Sequence, residues 1–289
     1  MKQLTVISGK GGTGKTSLTA AFASLATNAV FADCDVDASD LPLVLKPVIK
    51  KTMGFHGLKL ASVDAILCDD CQACYRACNF NAIDEDIHIN EDRCEGCGVC
   101  AYVCPQKAIT LVERESGLAY ISETRFGPLC HAVLHTAEEA SGKLVTLVRE
   151  NAIHLAEDKN HDLILIDGPP GIGCPVIAAI SGVDAVLIVT EPTLSGIHDL
   201  KRVHQVAQHF NIPTAVCINK YTINEENTAA IEQYCKEHEL FVDKLPYDPV
   251  FTEAMVQEKT VMELEKTSLQ QQITHLWSSL LKYFDLTSS

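Results

Sequence analysis

Hydrophobic residues along the chain fall into short unbroken runs separated by stretches of helical period. Residues 3–8 (Gln-Leu-Thr-Val-Ile-Ser), Ala29–Ala32, Leu163–Ile166, Ala185–Thr190 and Thr214–Ile218 are strand-like runs of this kind. Runs that lack polar alternation predict strands covered on both faces, as in a parallel sheet. Between them, residues 17–23 favour helix, and residues 196–210 repeat apolar positions at Ile197, Leu200, Val203, Val206 and Ala207. Residues 141–158 place Leu144, Val145, Val148, Ala152 and Ile153 on one stripe, with Ser141 as N-cap. These spacings predict amphipathic helices. A last helix carries Leu269, Ile273, Leu276, Trp277, Leu280, Leu281 and Phe284, and is expected to pack on the core. Strands alternate with helices on both sides of residues 62–115. The pattern therefore predicts one parallel α/β domain, residues 1–61 and 116–289, interrupted by a separate segment.

That segment holds eight of the 13 cysteines, in two copies 26 residues apart. They read Cys68-x2-Cys71-x2-Cys74-x3-Cys78 and Cys94-x2-Cys97-x2-Cys100-x3-Cys104-Pro105, and Ala82-Ile83 recurs as Ala108-Ile109. Three closely spaced thiolates on a tight loop can grip one iron–sulfur cubane, while the fourth cysteine leads to the other. Structural zinc would need only one C-x2-C pair per half site and not this rhythm twice. The spacing resembles that of two-cluster bacterial ferredoxins. The resemblance implies one [4Fe–4S] cluster on Cys68, Cys71, Cys74 and Cys104 and a second on Cys94, Cys97, Cys100 and Cys78. The first copy departs from the pattern with Asn79 in place of proline. It also has Asp70 and Gln72 where the second copy has Gly96 and Gly98, a more polar loop that would alter its cluster's potential. So short a segment buries little surface, and metal clusters would supply stability that a core cannot.

Residues 3–8 lead into Gly9-Lys10-Gly11-Gly12-Thr13-Gly14-Lys15-Thr16, followed by the first helical stretch. Strand, glycine loop and helix in that order are the context a Walker A motif requires. The backbone amides would wrap phosphates, Lys15 would reach the β- and γ-phosphates, and the Thr16 hydroxyl would ligate Mg²⁺. Two carboxylate motifs accompany it: Asp33-Cys34-Asp35-Val36-Asp37 after the second strand, and Asp167-Gly168-Pro169-Pro170-Gly171 after the run at 163–166. Strand C-termini are where open α/β sheets place ligand chemistry.

Lys10 within Lys-Gly-Gly-x-Gly-Lys-Thr resembles the deviant Walker A of the MinD/ParA/nitrogenase-iron-protein class of P-loop ATPases. The whole chain resembles members of that superfamily that carry an inserted ferredoxin domain. The resemblance implies an ATPase whose homodimer sandwiches ATP, with Lys10 reaching the partner's nucleotide; the plainer alternative is that Lys10 touches only its own phosphates or solvent. It further implies that Asp33 orients the Mg²⁺ shell, Asp35 the attacking water, and Asp167 holds Mg²⁺ through water. Gly171 would sense the γ-phosphate, Asn219 would read adenine, and Leu245-Pro246-Tyr247-Asp248-Pro249 would close over the base. Asp37 and Asp40 read as turn and cap residues. Glu191-Pro192-Thr193 and Ser195-Gly196-Ile197-His198-Asp199-Leu200 match the family without a mechanism of their own.

Charge and the remaining cysteines narrow the reading. Lys plus Arg is 23 against 38 Asp plus Glu, a net charge of −15. That balance opposes nucleic-acid binding, which needs a basic surface. Residues 62–115 alone carry 11 acidic and 4 basic residues, which favours a basic redox or iron–sulfur client protein as partner. The start, Met1-Lys2-Gln3-Leu4, runs straight into the first strand without a leader, and no stretch approaches the ~20 apolar residues of a membrane span. The last helix has only Lys282 as a basic residue on its polar face, so stable membrane insertion is not expected. A cytoplasmic location follows, in which cysteines serve metals rather than disulfides. Cys34, Cys217 and Cys235 read as plain core or surface residues. Cys174, just past Gly171, and Cys130 are candidates for a third cluster shared between subunits. The sequence thus leads to an ATPase whose nucleotide cycle gates electron transfer through two clusters. An ATP-dependent cluster carrier and a MinD-like positioning ATPase with redox-sensing clusters are the alternatives.

Overall fold

The computed structural model describes residues 1–135, 141–265 and 268–286. Its strands are β1 (Lys2–Ser8), β2 (Ala29–Asp33), β3 (Val48–Phe55), β4 (Lys59–Val63), β5 (Ile109–Glu113), β6 (Gly117–Thr124), β7 (Gly127–Leu134), β8 (Leu163–Pro170), β9 (Ala185–Thr190), β10 (Thr214–Asn219) and β11 (Phe241–Leu245). Its helices are α1 (Lys15–Leu25), α2 (Leu41–Leu45), α3 (Ala73–Ala77), α4 (Val99–Val103), α5 (Ser141–Lys159), α6 (Cys174–Ile180), α7 (Leu194–His209), α8 (Glu225–Glu237), α9 (Val250–Val256) and α10 (Ser268–Tyr283). Ser141, the expected cap, is the first residue of α5, and its side chain lies outside what is described.

Residues divide into two compact units, Met1–Thr52 with Ala119–Val133 and Ser141–Ser289, and Met53–Leu118 with Leu134–Ala140. The larger sheet has the order β11-β10-β9-β1-β8-β2-β7-β6-β3, and every pairing from β11 to β7 is parallel. The five apolar runs of the sequence are β1, β2, β8, β9 and β10, and β9 and β10 are buried along their whole length. Double-sided burial explains why they lack polar alternation. β1 lies between β8 and β9, so the chain's first strand sits centrally and delivers the loop after it to the sheet's C-terminal edge. α10 buries Leu269, Ile273, Leu276, Trp277 and Leu280, and the Trp277 ring lies 4.9 Å from that of Phe22 of α1, tilted by 31°. Its apolar stripe is thus spent on the core. Among the described residues no helix is long and apolar enough to cross a membrane.

The smaller unit repeats itself in structure. α3 and α4 begin 26 residues apart and have the same length. Asp64 N–H donates to Ala108 O and Asn90 N–H to Ala82 O, both at 2.7 Å, so each half lends the other the same bond. β4 and β5 pair antiparallel from Lys59↔Glu113 to Val63↔Ile109. A small apolar cluster of Ala61, Ile83, Ile87 and Ile109 packs with Cys74 and Cys100.

Candidate functional site

Gly9–Thr16 form the turn from β1 into α1. Gly12 and Gly14 hold φ of 78° and 89°, a left-handed backbone that favours glycine. A side chain on Gly14 would also collide with the Asn219 amide. That amide donates to Thr13 O at 2.8 Å, tying the loop to the end of β10. The loop borders an open recess of about 530 Å³ lined also by Asp35, Asp37, Asp40 and Met255.

Opposite the loop lie the carboxylates. Asp33, at the end of β2, lies in direct register with Asp167 within the parallel β8, and both are fully buried. Lys15 Nζ contacts Asp167 Oδ1 at 2.9 Å and Asp35 Oδ2 at 3.5 Å. Thr16 Oγ1 donates to Asp167 Oδ2 at 2.7 Å, and Thr19 Oγ1 to Asp167 Oδ1 at 3.0 Å. Asp33 accepts from the Asp35 amide, the Ser39 hydroxyl and the Leu41 amide. Burial, then the neighbouring Asp167, pushes the Asp33 carboxyl up to about 8, against the pull of Lys15. Burial also raises Asp35. For Lys15, burial favours the neutral amine, but Asp167, Asp35 and Asp33 together outweigh it and raise its pKa. The Thr16 hydroxyl and the Asp167 carboxylate beside it are hard oxygen donors of the kind Mg²⁺ takes, and bound phosphates and waters complete such a shell. The Thr13 hydroxyl is buried without a partner beside them, as suits a loop that awaits an anion.

In the smaller unit, Cys78, Cys94, Cys97 and Cys100 line one recess walled by Phe80, Ile83 and Leu111. Cys78 belongs to the first copy of the motif and the other three to the second. Burial chiefly raises the Cys74 thiol, and the sulfurs of Cys68 and Cys104 lie close enough to add to it. Ala82 N–H reaches Cys78 Sγ at 3.4 Å, and Ala108 N–H reaches Cys104 Sγ at 3.3 Å. Asp70 and Gln72 have φ of 54° and 56°, while Gly96 and Gly98 have 60° and 81°. The two loops therefore share a backbone despite their different residues. Asp70 and Gln72 bear a left-handed cost of about 1–2 kcal/mol each. At Gly96 no side chain fits, because its Cβ would strike the Lys59 carbonyl. Among the described residues no three His, Cys, Asp or Glu converge closely enough to hold a single metal ion.

Residues 4–261 match the CobQ/CobB/MinD/ParA nucleotide binding domain family. The chain belongs to that family. It is similar to an uncharacterized protein, MJ0578, of Methanocaldococcus jannaschii, with 36% identity over 228 residues, 78% of this chain and 80% of that one. A 53-residue stretch is 45% identical to pyruvate synthase subunit PorD of Methanothermobacter marburgensis, covering 18% of this chain and 64% of that subunit. In fold it is similar to the septum site-determining protein MinD of Pyrococcus horikoshii, complexed with Mg-ADP. That likeness has a TM-score of 0.60 at 19% identity, over 98% of this chain and 96% of that one.

As a MinD/ParA-type P-loop chain, the molecule brings Lys15, Thr16, Asp35 and Asp167 together, with Asp33 behind them. Asp37 and Asp40 border the same recess; Asp40 precedes α2 but its side chain makes no capping bond. Gly171 has φ of 96° and its amide donates to Ser8 O. Tyr247, in the stretch expected over the base, is exposed and its amide bonds Thr222 Oγ1. Cys34, Cys217 and Cys235 are buried core residues. The proposed pairing of Cys130 with Cys174 is corrected. Cys174 is exposed at the start of α6, whereas Cys130 lies wholly inside β7, its thiol pushed up to about 12 by burial. A fully buried thiol inside a sheet strand cannot reach a ligand shared at a subunit surface.

Sequence reasoning missed Thr19 and Ser39, and gave Glu191 and Lys220 no role of their own. Thr19 stands three residues after Thr16 on α1, so helical spacing already placed both hydroxyls on one face. Ser39 gave no such signal.

Proposed function

We propose that this chain is an ATP-hydrolysing iron–sulfur protein. In this reading a nucleotide-driven homodimer cycle gates electron transfer through two [4Fe–4S] clusters to a basic protein partner. The observation that carries it is the position of Cys78 in one recess with Cys94, Cys97 and Cys100. That crossover between the copies is what two-cluster ferredoxin spacing implies, and a zinc site gains nothing from it. Cys68, Cys71, Cys74 and Cys104 would hold the other cluster. The clusters would supply one-electron chemistry, and the Ala82 and Ala108 amides would hydrogen-bond the sulfurs of Cys78 and Cys104. The similarity to pyruvate synthase subunit PorD supports the same reading.

On the nucleotide side, the Gly11–Thr16 amides and Lys15 bind the phosphates, and Thr16, Asp167 and Asp33 would hold Mg²⁺. An incoming triphosphate draws Lys15 from Asp167 and Asp35. Asp35, released, is then placed to orient water against the γ-phosphate, while Asn219 keeps the loop fixed to the base-binding edge. Positioning and charge neutralisation of this kind are nearly all that phosphoryl transfer requires. Lys10 would complete the partner's site in an ATP-bound dimer. The excess of acidic side chains around the cysteines would steer a basic partner.

Anaerobically purified protein should carry about eight irons per chain. An iron content near zero, or one zinc per half site, sinks the iron–sulfur half. For the coupling, Lys15→Ala should abolish ATP-stimulated electron delivery from the reduced protein to an acceptor. Unchanged delivery would leave the clusters conducting without any gate.

A further inference from the structure

Lys10 is already held within its own chain. Its Nζ lies 2.6 Å from Glu191 Oε1, 3.1 Å from Ser195 Oγ and 3.3 Å from Thr193 Oγ1. The carboxylate is shared, because Lys220 Nζ sits 3.2 Å from Glu191 Oε2 and also donates to Gly12 O at 2.9 Å. The segment that carries Glu191 is pinned. Thr193 Oγ1 accepts from the Gly196 amide to cap α7, and Asn227 Nδ2 donates to Pro192 O. A side chain on Gly196 would strike the Glu191 carbonyl, so the segment folds back tightly on the helix start. Burial favours a neutral Glu191, yet Lys10 and Lys220 hold its carboxyl below the usual range.

We propose that Glu191, with Thr193 and Ser195, is the positioning clasp that keeps Lys10 folded on its own subunit, and that this clasp must open before Lys10 can serve a partner's nucleotide. This rests on the dimer cycle proposed above. The second cation makes the clasp reversible. When Lys10 leaves, Glu191 keeps Lys220, so no half-buried carboxylate is stranded, which is the usual penalty for breaking such a pair. Lys220 in turn stays anchored to the phosphate loop, so the loop's shape does not depend on Lys10. The clasp accounts for Glu191-Pro192-Thr193 and Ser195-Gly196 as a preformed cradle for one ammonium group.

The test is dimerisation of the full chain with Mg²⁺ and a non-hydrolysable ATP analogue, followed by sedimentation equilibrium. Glu191→Gln keeps the shape and removes the charge. An ion pair that keeps some solvent access contributes up to about 1 kcal/mol and two clasps open per dimer, so the dimer dissociation constant should fall about five- to thirtyfold. An unchanged or raised constant overturns the clasp, whereas a wild-type chain that stays monomeric overturns the dimer cycle instead. A second readout needs no dimer. In the nucleotide-free wild type, Lys10 should acetylate several-fold more slowly than the exposed Lys50 and Lys51, and Glu191→Gln should abolish that protection. Equal reactivity of Lys10 and Lys51 in the wild type also overturns the clasp.

Discussion

Asp33 and Asp167 face each other in register on neighbouring parallel strands, both fully buried. In the metal-free protein this pairing costs stability whenever both are ionised. Asp33 is pushed up to about 8, well above its unfolded value, so the folded state holds a proton that the unfolded state has already lost. Stability of the metal-free chain should therefore fall as pH rises from 6 towards 8.5. Asp33→Asn should flatten that fall, raise the Tm at pH 8.5, and weaken Mg²⁺-dependent ATP turnover about 10- to 100-fold. Thermal melts with and without Mg²⁺ across that range check it. A Tm that is flat in the wild type would contradict the burial argument.

The crossover of the fourth cysteines makes a prediction about metal content. Cys78→Ser should remove the cluster held with Cys94, Cys97 and Cys100 and leave about four irons. Gly96→Ala should do the same by a different route, since its Cβ meets the Lys59 carbonyl and its φ is 60°. Asp70→Gly, which relieves the left-handed cost at the matching position, should retain about eight irons and raise thermal stability. Iron per chain, measured anaerobically, separates the first two variants from the third.

His131 sits in β7 with its Nε2 3.0 Å from Ser122 Oγ and its ring stacked 4.9 Å from Tyr120. Burial lowers its pKa to about 4. Below its unfolded pKa near 6.5 the unfolded state binds a proton that the folded state refuses, so stability is lost as pH falls. The loss should reach about 2 kcal/mol by pH 5. Because Asp33 contributes a slope of the opposite sign over this range, the effect is read as the stability difference between His131→Gln and the wild type in urea titrations, which should move by about 2 kcal/mol in the variant's favour between pH 7 and 5. A slope unchanged in the variant would assign the effect elsewhere.

Trp277 of α10 lies 4% exposed against Phe22 of α1. Trp277→Ala should cost about 3–5 kcal/mol. Because α1 carries Lys15 and Thr16, the same variant should also weaken nucleotide binding, read by equilibrium dialysis of ATP at a temperature where it remains folded. Undiminished affinity would mean that α1 holds its place without α10.

The sequence made the buried parallel strands legible because double-sided burial forces unbroken apolar runs. β1, β2, β8, β9 and β10 announced themselves in this way. β6 and β7 did not, since Ser122, Thr124 and His131 are polar residues buried within them, and hydrogen bonds to partners such as Gly127 O or each other make that burial affordable. β4 and β5 bury only one residue each, so neither shows the unbroken apolar run of a strand covered on both faces. The phosphate loop, the carboxylates and the eight cysteines were legible because their chemistry fixes residue type and spacing. The Lys10–Glu191–Lys220 arrangement was not. Its members lie up to about 210 residues apart and meet only through the order of β1, β9 and β10 in the sheet.

The exchanged bonds of the small unit have a consequence for its minimal form. Asp64 finds its acceptor at Ala108 and Asn90 finds its own at Ala82, and Cys78 joins three sulfurs of the other copy. A single copy of the motif would therefore have an open backbone donor and a misdirected fourth thiol, and could be completed only by another like itself. The unit is a two-fold dimer written into one continuous chain, and its linkage fixes at covalent cost what two separate peptides would have to find by diffusion.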